Sequence, residues 1–156
     1  MVPITNMVYN YDYAKRLHQG EGSFEDDWMR TIKIGGDFEQ LYEESISLIL
    51  ELITKYSGFS WEENVEDYLP IYLIGSQPSF AQPLTLAVND DPEIMLEDLI
   101  YQLAHRNMYF GFTTEELRDK CLAAVTDHVL SDLKLRKVED KVLDLRQKPV
   151  KEYLRK

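Results

Sequence analysis

Apolar residues recur at three- and four-residue steps through Phe38, Leu41, Tyr42, Ile49, Leu52, Ile53 and Tyr56. That spacing predicts an amphipathic helix, with Asp37 as its cap, Gln40 three positions on, and Gly58 just past its end. Upstream the pattern shortens: Met7–Tyr13 and Arg30–Ile34 read as strands joined by the polar stretch His18–Asp27. Residues 59–67 are acidic and turn-like, and Leu69–Gly75 reads as a strand that Pro70 confines to an edge or a strand start. After a loop at 77–82, Leu84, Leu86 and Val88 alternate with Thr85 and Ala87, the period of a half-buried strand. Asn89-Asp90-Asp91-Pro92 then supplies a turn and a helix start.

The helix that follows, 92–109, has one stripe at Leu96, Leu99, Ile100 and Leu103 and a second at Ile94, Tyr101, His105 and Met108, so both faces are expected to be covered. Gly111 ends it. Thr113-Thr114-Glu115-Glu116 forms a capping box for the next helix, whose stripe is Leu117, Cys121, Ala124, Val125, His128 and Leu133. Leu135, Val138, Val142 and Leu145 keep helical spacing up to Pro149, which predicts a helical carboxyl-terminal segment over 134–156. With no repeat and no linker, 1–156 reads as one α+β domain, a small, mostly antiparallel sheet packed against three or four helices.

Composition narrows the function classes. Seventeen Lys and Arg against 28 Asp and Glu give a net charge of −11, and the charge is uneven: residues 134–156 carry +5, leaving −16 on residues 1–133. An acidic body repels phosphate backbones and anionic lipid, so neither nucleic acid nor a membrane is expected as partner. The basic tail is expected to pack on its own acidic body or on that of a partner. No apolar run is long enough to span a bilayer, and Met1–Tyr13 lacks the pattern of a secretory signal. The single cysteine, Cys121, excludes an internal disulfide and agrees with a reducing, cytoplasmic address. Cys121 lies on the apolar stripe of its helix in an acidic neighbourhood, which suits a core residue and not a nucleophile.

The run Leu99-Ile100-Tyr101-Gln102-Leu103-Ala104-His105-Arg106-Asn107 resembles the active helix of the zincin metallopeptidases, whose core is H-E-x-x-H in an apolar frame often ending Leu-Ala-His. In that family the two histidines hold zinc and the glutamate is the general base on the metal-bound water. Here those places hold Tyr101, Gln102 and His105. A neutral amide cannot accept the proton that the glutamate takes, and a phenol with a pKa of about 10 is a poor zinc ligand. The resemblance therefore implies a zincin-like scaffold that has lost its peptidase chemistry: a non-catalytic binding protein, without cofactor. Its old cleft, at Tyr101, Gln102, His105 and Tyr109, would take a protein or peptide.

Two alternatives stay open. Members of that superfamily draw a third ligand from the next helix, so a reduced zinc site of His105, His128 and Asp127 would make the chain a metal-dependent hydrolase. The other is an oligomeric structural component, in which the basic tail of one subunit docks on the acidic body of the next. His18, in a polar loop, reads as a solvated residue. No nucleophile elbow, phosphate-binding loop or dinucleotide fingerprint is present, Ile34-Gly35-Gly36 being too short for the last. The chain is rich in tyrosine, and Tyr9, Tyr11 and Tyr13 alternate as they would on one face of a strand, a candidate peptide or dimer surface.

Overall fold

The structure, a computed structural model, describes residues 2–75 and 77–154. Along them run β1 (Ile4–Val8), α1 (Tyr11–Leu17), α2 (Phe24–Ser57), a 3-10 turn at Trp61–Glu63, β2 (Tyr68–Ile74), β3 (Thr85–Ala87), α3 (Pro92–Asn107), α4 (Glu115–Asp132) and α5 (Val150–Tyr153).

The helix α2 organises the rest. Its 34 residues extend over about 50 Å. It begins at Ser23, whose Oγ accepts the Asp26 N–H, and not at Asp37; Glu25, Asp26 and Asp27 in the first turn complement the helix dipole. It ends where Gly58 takes φ 80° and donates its N–H to Thr54 O at 2.9 Å. The strand expected at Arg30–Ile34 is therefore helix interior. Gly35 and Gly36 lie within α2 although each costs a helix about 1 kcal/mol relative to alanine. At Gly35 the missing side chain is a packing requirement: a Cβ there would stand 2.6 Å from Tyr9 Oη and 2.7 Å from Leu73 Cδ1.

The sheet has the order β1-β2-β3, and both pairings are parallel, with Ile4 opposite Tyr68 and Tyr72 opposite Thr85. This overturns the expectation of a mostly antiparallel sheet. Its cause is the connection: α1 and α2 carry the chain from the carboxyl end of β1 back to the amino end of β2, a crossover that only a parallel pair requires. Among the described residues antiparallel pairing is confined to the isolated bridge Phe80–Thr85. Leu69, Ile71 and Leu73 of β2 point into the core. On the other face α1 lies over the sheet, where Tyr13 packs on Tyr72 at 4.7 Å between ring centres and its hydroxyl meets Thr85 Oγ1 at 2.6 Å. Tyr9, Tyr11 and Tyr13 thus do not share a strand face, since Asn10 caps α1 and the last two are helical.

The core joins Phe38, Ile49 and Ile53 of α2 to Leu96, Leu99 and Leu103 of α3 and to Cys121, Leu122 and Val125 of α4. Among the described residues no helix is long and apolar enough to cross a membrane. Beyond α4 the expected helix over 134–156 does not form. Lys134 takes φ 63°, which terminates α4, and the chain runs without helix to the four residues of α5. Arg155 and Lys156 of that segment lie outside the described residues. The tail lies on its own acidic body: Leu145 and Val150 are buried, and Lys151 Nζ is 3.1 Å from Glu63 Oε1. Arg136 bridges Asp127 at 2.8 Å and Glu97 at 2.6 Å.

Candidate functional site

Adjacent helical residues diverge by about 100°, and α3 separates its candidate residues accordingly. Gln102 is buried and donates from Nε2 to Asp98 Oδ1 at 3.3 Å, while Asp98 also accepts the Ser79 hydroxyl. Tyr101 lies on another side, beside Asp119 of α4, and burial followed by that carboxylate pushes its phenol up. His105 stacks on Tyr109 at 5.7 Å; burial, then Arg118, pushes its imidazole down. His105 and Tyr109 share a shallow depression with Phe112 and Arg118, which Gln102 does not line. The four residues do not make one cleft.

The reduced metal site is not assembled either. Asp127 is taken up by Arg136. His128 is buried, stacked on Tyr56 at 4.9 Å, with its Nε2 turned to the 143–145 backbone. Among the described residues no group of three His, Cys, Asp or Glu side chains is placed to hold a metal ion.

A different region draws the functional features together, at the carboxyl ends of the three strands. There the first half of α2 meets the sheet. Tyr9, after β1, abuts Gly35, and Gly75, after β2, sits so close to Asp27 that a Cβ would fall 2.3 Å from its carboxylate oxygens. His18 belongs here. Its side chain is only 14% exposed, with Nδ1 3.4 Å from Asp27 Oδ2 and Nε2 3.4 Å from Gly22 O, so it ties the α1–α2 loop to α2 and is not a solvated loop residue. Its ring meets Phe24, which with Tyr11 and Trp28 forms an aromatic cluster at the start of α2.

Beside this cluster a groove of about 680 Å³ opens between α2 and the loop from β3 to α3. Met29, Ile34 and Phe38 give it an apolar floor, and Arg30, Lys33, Asp37 and Asp90 give it charged edges of both signs. Arg30 Nη2 and Asp90 Oδ2 are 3.6 Å apart across its mouth. Met29, which lines it, is 65% exposed, and Ile32, one turn on along α2 and outside its lining, is 42% exposed. Open parallel sheets place their ligands in this position, outside the carboxyl ends of the strands.

The strand-like spacing of Arg30–Ile34 conceals these residues in the sequence. The signal was present: Ser23 before three consecutive acids is a helix start, and Met29, Lys33 and Asp37 fall at four-residue steps. No protein-family model, curated protein or solved structure matches the chain.

Proposed function

We propose that this chain is a non-catalytic interaction protein that receives an apolar segment of a basic protein partner in the groove at the carboxyl edge of its sheet. The observation that carries the reading is the pairing of that groove with large apolar side chains left in solvent at Met29 and Ile32. A monomeric surface scatters such residues singly; here two adjoin on α2, one of them lining a concave apolar groove. Further along the same helix, Asp37, Glu39, Glu43, Glu44 and Glu51 are exposed, with no basic residue between Lys33 and Lys55. This row, on a chain of net charge −11, steers a basic partner toward α2. A lone buried thiol, Cys121, suits a reducing compartment, so the encounter is set in the cytoplasm. The basic tail is already engaged on its own body through Arg136 and Lys151, which disfavours the oligomer built by tail exchange.

A photoreactive amino acid at Met29, with Lys120 on α4 as the reference position, tests the reading in the native cell. The expected outcome is a protein adduct specific to position 29. The purified partner then binds in a salt-sensitive manner and loses affinity on Met29→Glu or Ile32→Glu. Equal labelling at both positions, or a partner indifferent to both substitutions, overturns it.

A further inference from the structure

On the opposite edge of the sheet, where β2 begins, a second groove of about 400 Å³ lies between the amino end of β2, the 82–84 segment and the carboxyl end of α3. Its walls include Tyr68, Pro70, Pro83 and Phe110, of which Tyr68 is 50% and Phe110 78% exposed. Arg106, in the last turn of α3, lines it. Among the described residues, Arg106 Nε is the one buried side-chain nitrogen or oxygen without a hydrogen-bond partner. A guanidinium stays charged in a protein, and a buried donor left unmade is costly, so this atom marks a place where the fold lacks an acceptor. Burial opposes the charge, while Tyr109 and Glu66, when ionised, favour it through space without bonding to it.

We propose that this groove binds a carboxylate carried beside a large apolar or aromatic side chain, as at the end of a peptide. The carboxylate would accept from the Arg106 guanidinium after a small turn of that side chain opens Nε, closed to solvent in the free chain, to the groove, and the apolar side chain would lie against Tyr68 and Phe110. Planar carboxylates match the guanidinium fork. A phosphate is disfavoured because, among the described residues, Arg106 is the only basic one lining the groove and Glu66 lines it too, so a second negative charge meets repulsion without a second cation. The site is independent of the carboxyl-edge groove and stands whether or not that one receives a protein.

The test is a titration of the full chain followed by NMR at the Arg106 Nε–H and at the Tyr68 and Phe110 amides. The probes are N-acetylphenylalanine, its neutral amide, acetate, inorganic phosphate, and N-acetyl-aspartyl-phenylalaninamide. N-acetylphenylalanine is expected to bind with a dissociation constant on the order of 1 mM. Its amide and acetate should bind at least about tenfold more weakly, the amide for want of a charge-assisted bond to Arg106 and acetate for want of an apolar body. The aspartyl probe reports whether a side-chain carboxylate serves as well as a terminal one. Arg106→Gln should abolish the response. Should that variant fail to fold, Phe110→Ser, at an exposed position, must weaken N-acetylphenylalanine severalfold. Equal binding of acid and amide, tighter binding of phosphate, or a silent Arg106 resonance overturns the proposal.

Discussion

The Nε2 atom of His128 lies 3.1 Å from the backbone nitrogen of Leu145 and accepts its N–H. Leu143 O is also 3.1 Å away, but one ring nitrogen cannot both accept and donate, and the buried N–H has the stronger need of a partner. A side chain of α4 thereby fastens the non-helical tail over the core, where Leu145 and Val150 are buried. His128→Leu leaves that N–H unpaired and should cost about 1–3 kcal/mol. Urea unfolding measures the loss, and hydrogen exchange should show it first at the Leu145 amide.

Neighbouring glycines in α2 should respond with opposite sign. Gly36 faces open space, so Gly36→Ala should stabilise by about 0.5–1 kcal/mol through helix propensity. Gly35→Ala drives a methyl group against Tyr9 and Leu73 and should destabilise by about 1–3 kcal/mol despite the same propensity gain. Paired thermal melts decide it, and two shifts of the same sign would refute the close approach.

Asn107 closes α3 in the core. Its Oδ1 accepts from Ser57 Oγ at 2.5 Å, its Nδ2 donates to Phe59 O at 3.2 Å, and its backbone oxygen accepts from Asn64 at 2.7 Å. Asn107→Leu strips two buried groups of their partners and should cost at least about 2 kcal/mol, read from the denaturant midpoint. Ser57→Ala also strips two groups, Asn107 Oδ1 of its donor and the Phe59 N–H of its acceptor, and should cost a similar amount.

His105 supplies a pH signature. Burial, then Arg118, holds its imidazole below the ordinary value of about 6.5, so the folded chain takes up that proton less readily than the unfolded one. Its contribution is complete above about pH 6.5 and falls away as the pH drops through the interval below. An NMR titration should place the His105 midpoint below that of a model histidine. His105→Gln should flatten the decline in stability between neutral and mildly acidic pH.

Local chemistry was the legible part of this chain. Gly58 ends α2, Pro92 opens α3, and Thr114 caps α4 by accepting the Leu117 N–H at 3.2 Å, each where its residue type predicts. The strand expected at Leu69–Gly75 forms as β2, but it is the central strand of the sheet, with Pro70 as its third residue and not at an edge. Strand direction was not legible, because a period of two carries no polarity; the crossover through α1 and α2 decides it. The need for glycine at position 35 was not legible, because the contact that demands it comes from Tyr9 and Leu73, both far away in sequence. The tail kept a helical spacing of apolar residues, yet those residues are used to cover the core without helix.

At the site, the failures have separate causes. The divergence of Tyr101 from Gln102, and of Asp127 from His128, follows from helix geometry and was open to calculation. The nearness of His18 to Asp27 depends on a loop path that no periodicity encodes.

Parallel pairing of β1 with β2 also orders the assembly of the molecule. β1 leaves the ribosome before β2 and can find this neighbour only after the whole of α2 has been synthesised. Until then Ile4–Val8 is an unmatched tether, and the helical part of the chain must hold the growing product together before the sheet exists.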